Sequence, residues 1–295
     1  MRIPMAIILG SMLCAHATRA QEISTAPAAD SAWNESWIDR PLVLAPRMVQ
    51  ANLGVDVTNA ALGGGNATGE SMSAAFDIGI VPRVQAGIAL TFPVNPAAFG
   101  SALADVQFGL GQAANLRFDA GVARGGFTGG PLESMANIYE FGLGVPIKVK
   151  LAPNVALISG RTSAAGFGRP LALAGDGGGL AFGASPFFMS ESLFAVGIND
   201  EGVVSYTANA PVGLLIAPHE RVAIALHAGY RYAHSGSQSG SGRDFNFVPF
   251  GGDVMFNLPS HVDLGVSGDV AGPVDSNDEY LGYRQFMAWA QARFK

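Results

Sequence analysis

The 295-residue sequence holds a single cysteine, Cys14, and it lies inside the first apolar run. Everything downstream is therefore without disulfides, thiolate metal sites or a cysteine nucleophile. Charge is scarce as well: Asp, Glu, Lys and Arg make up 14% of the chain, against about 25% in an average globular domain. Basic residues are the scarcer sign, 17 against 23 acidic. That balance argues against a nucleic-acid partner, which needs clustered Lys and Arg. Long apolar runs are also missing. A membrane-crossing helix needs about 20 consecutive apolar residues, and beyond position 20 every apolar stretch is cut within a few residues by Gly, Pro, Asp, Asn, Gln or Arg. Yet hydrophobic residues reach 49% and the mean hydropathy is +0.28. A chain so apolar, so poor in charge and so rich in glycine (39 residues) is not composed like a cytosolic enzyme. It points to an all-β chain, closed or secreted.

Residues 1–20 read as a secretory signal peptide. Arg2 is followed by an apolar run from Ile3 to Cys14, then by small residues ending at Ala15-His16-Ala17 or Thr18-Arg19-Ala20. A cut after Ala20 takes Arg2 and Arg19 from the 17 basic residues, leaving 15 against 23 acidic and a net charge of −8.

Period-2 alternation dominates the rest. Val49, Ala51, Leu53, Val55 and Val57 interleave with Gln50, Asn52, Gly54 and Asp56. The pattern returns at Met72, Ala74, Phe76, Ile78 and Ile80, and again at Val84, Ala86, Ile88, Leu90 and Phe92. Such alternation belongs to strands with one apolar and one polar face, because helices repeat apolar positions every three or four residues. Short turns join these segments at Val81-Pro82-Arg83, Gly111-Gln112-Ala113-Ala114-Asn115, Ala152-Pro153-Asn154, Ala217-Pro218-His219-Glu220 and Pro259-Ser260-His261. At the other strand ends the connections are longer and rich in Gly, Ser and Asn, as at Gly63-Gly64-Gly65-Asn66 and from His234 to Gly242. Short turns on one side and long loops on the other are the mark of a transmembrane up-and-down barrel.

In this pattern the chain resembles the outer-membrane β-barrel proteins of Gram-negative bacteria, in the broad porin-like class. The resemblance covers residues 47–295. A closing strand with Phe286, Ala288, Ala290, Ala292 and Phe294 on one face ends in an aromatic, which the outer-membrane assembly machinery reads in such barrels; here Lys295 follows it. The resemblance implies an outer-membrane location, lipid as surroundings, and a closed antiparallel up-and-down barrel. Counting turns gives about 12 strands, with 14 possible, because the interval from Asn154 to Pro218 is long enough for an inward loop or an extra hairpin. Residues 21–46, with Trp33, Trp37 and Arg40-Pro41-Leu42-Val43-Leu44, show no alternation; they read as a periplasmic tail in preference to a plug folded into the barrel.

If the apolar face meets lipid, the interleaved residues line the interior. The candidates are Gln50, Asn52, Asp56, Asp77, Gln85, Asp105, Gln107, Arg117, Asp119, Glu140, Lys148, Lys150, His227, Arg231, Asp253 and Asp269. Mixed charges could line a water-filled passage for small solutes, with the acidic excess leaning towards cations; they could also pair and close it. No catalytic or metal site is expected. The outer-membrane phospholipase family carries a His-x-Ser pair on the outer face, but in His234-Ser235-Gly236-Ser237 a glycine holds the nucleophile's place. Asp275-Ser276-Asn277-Asp278-Glu279 lacks the spacing of an EF-hand. The expected function is a passive pore or transporter for small solutes, without cofactor or covalent chemistry. A closed structural or adhesive barrel is the alternative, and a lipid-modifying enzyme the third.

Overall fold

The structure, a computed structural model, describes residues 36–62, 65–94, 101–125, 136–159, 175–176, 179–180, 192–200, 202–235, 243–259, 261–273 and 282–295. The proposed signal peptide, the glycine- and serine-rich loop after Ser235 and the acidic stretch at 275–279 lie outside these residues. In chain order the strands are β1 (Val49–Leu62), β2 (Gly65–Val81), β3 (Val84–Pro93), β4 (Ser101–Gly109), β5 (Asn115–Gly125), β6 (Ala136–Gly144), β7 (Lys148–Ala152) and β8 (Val155–Ile158). They continue with the two-residue pair β9 (Gly175–Asp176) and β10 (Gly179–Leu180), then β11 (Ser192–Asn199), β12 (Val204–His219), β13 (Val222–Ser235), β14 (Arg243–Leu258), β15 (Val262–Pro273) and β16 (Gly282–Phe294). Every pairing is antiparallel, most of them between chain neighbours, and β1 pairs with β16 from Val49↔Phe294 to Ala61↔Gly282. The result is a closed barrel of 12 strand positions.

The long interval after Asn154 resolves as a strand in two pieces. β6 pairs with β11 and β11 with β12 in the loop-side half of the wall. In the turn-side half β8 takes the same place, pairing with β12 at Val155↔Ile216 and with β7 at Lys148↔Ile158. β7 continues the line of β6: Asn115 N–H donates to Pro146 O (2.9 Å) and Lys148 N–H to Ala113 O (2.8 Å). One position in the wall is thus shared by β8 and β11. The hairpin β7–β8 adds no thirteenth or fourteenth position.

The turns sit where Pro and small polar residues placed them. Val81 pairs with Val84 around Pro82-Arg83, with Arg83 at φ 69°. Several boundaries differ from the expectation, among them that of β13, which takes in His234 and Ser235. Gly65 and Asn66 already belong to β2, and β12 runs through Ala217 and Pro218 to His219 by shifting register between Ile216 and His219.

The burial of the side chains is inverted relative to a globular domain. Leu53 is 61% exposed and Phe286 63%, whereas Asp77 and Gln50 are each 1% exposed. Outward apolar residues recur on the strands: Val55, Phe76, Ile88, Phe118, Phe141, Leu226, Phe250, Val266 and Phe294 are all exposed. On β16 the rise from Phe286 to Phe294 is roughly 27 Å along the strand, or roughly 21 Å along the barrel axis at a tilt of about 40°. That height approaches the apolar band of about 25 Å that such barrels present to hydrocarbon. Closure matters for the same reason, since an open sheet edge would leave backbone N–H and C=O groups unsatisfied in a medium without water.

Candidate functional site

The interior is where the polar side chains converge. Gln50, Asp56, Asp77, Gln85, Asp105, Gln107, Arg117, Asp119, Lys148, Asp253 and Asp269 are all buried inside the ring. Asn52 and His227 are half-buried on the same face. Glu140 pairs with Gly121 and Gly197, and Arg231 with Asn209 and Phe247; their side chains are outside the described set. Lys150 departs from the expected lining: it is half-exposed at the turn-end rim, where it binds Asp39 at 2.5 Å. Phe286 and Phe294 of the closing strand point outward, as the alternation requires.

Much of the turn-end mouth is occupied by the chain itself. Of residues 21–46, those from 36 onward are described, and they fold into the barrel instead of trailing from it. The reversal is local. Met48 N–H donates to Ala45 O (3.0 Å), with Pro46 second and Arg47 third at φ 66°, the arrangement of a type II turn. Pro46 pre-sets the first corner, while Arg47 takes the left-handed backbone usually left to glycine. Gly79 makes room for the returning chain. A Cβ there would stand 2.7 Å from the Ala45 carbonyl carbon and 2.8 Å from Leu44 O.

Inside the mouth the segment meets side chains from several strands. Both terminal nitrogens of Arg40 donate to the carboxylate of Asp263, at 2.8 and 2.9 Å, and its guanidinium lies 3.7 Å over the Trp37 ring. Lys148 donates to the carbonyls of Trp37 (3.3 Å) and Arg40. Leu44 N–H donates to Gln85 Oε1 (2.9 Å), and Gln107 Nε2 to Leu42 O (2.6 Å). Trp37 and Ile38 fill a socket of inward apolar residues, Ala156, Ile158, Leu215, Ala223, Ala225 and Met255 among them. Trp289 closes it edge-on to Trp37 with centroids 6.5 Å apart. Among the described residues this is the buried hydrophobic cluster, and it lies where the segment enters.

Elsewhere along the wall the interior brings carboxylates against Arg117 and His227. Arg117 Nε lies 2.7 Å from Asp119 and 3.6 Å from Asp105, the two carboxylates facing each other across β4 and β5. His227 has Nε2 at 2.5 Å from Asp269 and Nδ1 at 3.5 Å from Asp253, while Ser267 donates to Asp253 at 2.5 Å. Gly251 separates His227 from Asp269 in the ladder, and a Cβ there would stand 2.5 Å from Gly268 O and 2.8 Å from His227 Nε2. Its missing side chain is what lets the pair close. Asp56 accepts from Ser71 and, at 3.3 Å, from Gln285. Asp105 and Asp119 thus share Arg117, and Asp253 and Asp269 flank the His227 imidazole.

The outer face carries a polar group near its loop end. His234 Nδ1 lies 2.7 Å from Asp244, Tyr232 donates to the same carboxylate at 2.8 Å, and Tyr206 stacks on the imidazole at 4.8 Å. These residues stand above Phe250 and Val248, at the loop-side limit of the apolar band. Sequence reading placed His234 in a loop and missed both partners, since Asp244 and Tyr206 reach it only through the β12–β13 and β13–β14 registers.

Neither a protein-family model nor a curated protein matches the chain. Among solved structures it is similar to an outer-membrane channel from Pseudomonas putida F1, with TM-score 0.50 and 9% identity over 87% of this chain and 98% of that one. It is also similar to the NanC porin, with TM-score 0.44 and 6% identity over 81% and 98%. LpxR from Salmonella typhimurium gives TM-score 0.43 and 9% identity over 81% and 99%. At such identities the likeness is one of fold. The chain has the closed 12-strand architecture of porin-like outer-membrane barrels.

Proposed function

We propose that the chain is a pore of the Gram-negative outer membrane that passes small solutes, with its short turns in the periplasm and its long loops outside the cell. The observation that carries this reading is the inverted burial: a continuous apolar exterior around an interior lined by Asp, Gln, Asn, Ser, Thr and Arg. A polar lining of this kind is stable when water or solute shares the interior, because groups left dry there would lose hydrogen bonds. Acidic residues outnumber basic ones in the chain, 23 against 17, so the reading extends to a preference for cations. Signal-directed export brings the chain to the periplasm, and the assembly machinery reads the Phe286 and Phe294 face of the closing strand. The work is passage without covalent chemistry or cofactor.

A second reading, a closed structural or adhesive barrel, is favoured by one observation: residues 36–48 sit in the turn-end mouth. Recordings of the purified protein in planar bilayers separate the two. Discrete current steps with a potassium-over-chloride preference are expected. A silent bilayer at every voltage, from protein that shows the gel shift of a folded barrel between unheated and boiled samples, would remove the pore.

A further inference from the structure

The backbone hydrogen bonds that join residues 36–48 to the wall sit at their root. Arg47 N–H donates to Gly79 O (2.7 Å) and Gly79 N–H to Met48 O (2.9 Å). Beyond the Pro46-Arg47 turn, the hold consists of side-chain contacts: Arg40 on Asp263, Lys148 and Gln107 on main-chain carbonyls, and Gln85 on an amide. A ladder strand would be fixed along its length, whereas this segment is fixed at one end and latched at the other.

Two of the four wall groups that grip it, Asp263 and Gln85, also have partners within the wall, in a network that continues to Gln50. Asp263 accepts from Gln291 (3.0 Å), Gln85 donates to Asp77 (3.2 Å), and Gln50 accepts from Arg293 (2.7 Å) while donating to Asp77 (3.4 Å). Withdrawal of the segment leaves these wall groups bonded to one another and to entering water. The large cost of stranded buried polar groups is then avoided. What holds the segment in place is the Arg40–Asp263 pair and the burial of Trp37 and Ile38 in their socket.

Resting on the pore reading, we infer that residues 36–44 are a displaceable gate of the pore. It hinges at Pro46-Arg47, is latched by Arg40 on Asp263, seats Trp37 and Ile38 in the apolar socket, and closes the turn-end mouth to solutes.

The test uses the full chain in planar bilayers, with each variant first shown to be folded by its gel shift. Arg40→Ala leaves Asp263 without its bidentate partner only while the gate is shut. The fraction of time open is expected to rise about tenfold or more, since losing one partner of a buried ion pair shifts such an equilibrium by at least that much. Trp37→Ala should act in the same direction by emptying the socket. A second variant, Trp37→Cys with Trp289→Cys in a Cys14→Ser background, is bridged by a short bis-thiosulfonate reagent. It should close on bridging and reopen on reduction. Equal conductance of the native protein, Arg40→Ala and Trp37→Ala, or a bridged pair that conducts like the unbridged one, overturns the gate and leaves the pore standing. Silence of every folded variant overturns both.

Discussion

Leu53→Arg is the sharpest test of what surrounds the barrel. Leu53 is 61% exposed on β1, flanked on the same face by Ala74 and Ala290. By accessibility alone it is a surface position, where a polar substitution ordinarily changes stability by no more than about 0.5 kcal/mol. The outward residues of β1 run from Val49 to Val57 before Asn59 ends the apolar series. Leu53 stands midway, roughly 14 Å along the strand from either end and roughly 10 Å along the axis at a tilt of about 40°. In a bilayer that depth is the midplane, where an arginine costs about 2–4 kcal/mol, falling to about 0–1 near the interfaces. Two alanines beside it leave nothing for the guanidinium to pair with. The assay is urea unfolding of protein folded into lipid vesicles, with Asn59→Arg as the interfacial control. With a denaturant slope of about 2–3 kcal/mol per molar, Leu53→Arg should lower the midpoint by roughly 1–1.5 M, and Asn59→Arg by little. If the two variants unfold together, the outer face does not meet hydrocarbon and the membrane argument fails.

Other substitutions probe the interior. Gly79→Ala puts a methyl against the Leu44 and Ala45 carbonyls; overpacking of about 1–3 kcal/mol should unseat residues 36–44, raising the open fraction in bilayer recordings. Arg117→Ala removes the guanidinium between Asp105 and Asp119. It should cost on the order of 3 kcal/mol, read as a lower temperature for the gel shift, with Arg117→Lys restoring part of it. Asp253→Asn with Asp269→Asn removes two interior carboxylates, so the reversal potential in a potassium chloride gradient should move towards anions. An unchanged reversal potential would show that ions do not pass these residues.

The barrel was legible because a strand in hydrocarbon leaves a period-2 trace that no other environment imposes so strictly. The apolar series from Val49 to Val57 and from Phe286 to Phe294 could each be assigned to the outward face from neighbouring residues alone, and the exposed Leu53, Val55, Val57, Phe286 and Phe294 match that assignment. Pro82-Arg83 likewise announced its turn. The same signal stood at Pro46-Arg47 but was read as a boundary, although Ala45-Pro46-Arg47-Met48 repeats the form of Val81-Pro82-Arg83-Val84. Read as a turn, it would have sent residues 36–45 back into the barrel. The small inward residues Ala156, Ala217, Ala223 and Ala225 were a second trace, since they leave the space that Trp37 fills.

The sequence by itself determined the faces and the turn ends, because each follows from contacts between residues a few places apart; it left the ring at 12 or 14 positions. Only the tertiary structure decided which inward groups meet. Arg40 and Asp263 are brought together when the ring closes and the N-terminal segment turns inward, as are Arg293 and Gln50 across β16 and β1. His227 finds Asp269 across a glycine two strands away. Such pairings depend on register and closure, which fix distances between residues far apart in the chain; alternation fixes only the side each residue faces. The split of one wall position between β8 and β11 has the same origin, since nothing local in either piece shows that they share a partner in β12.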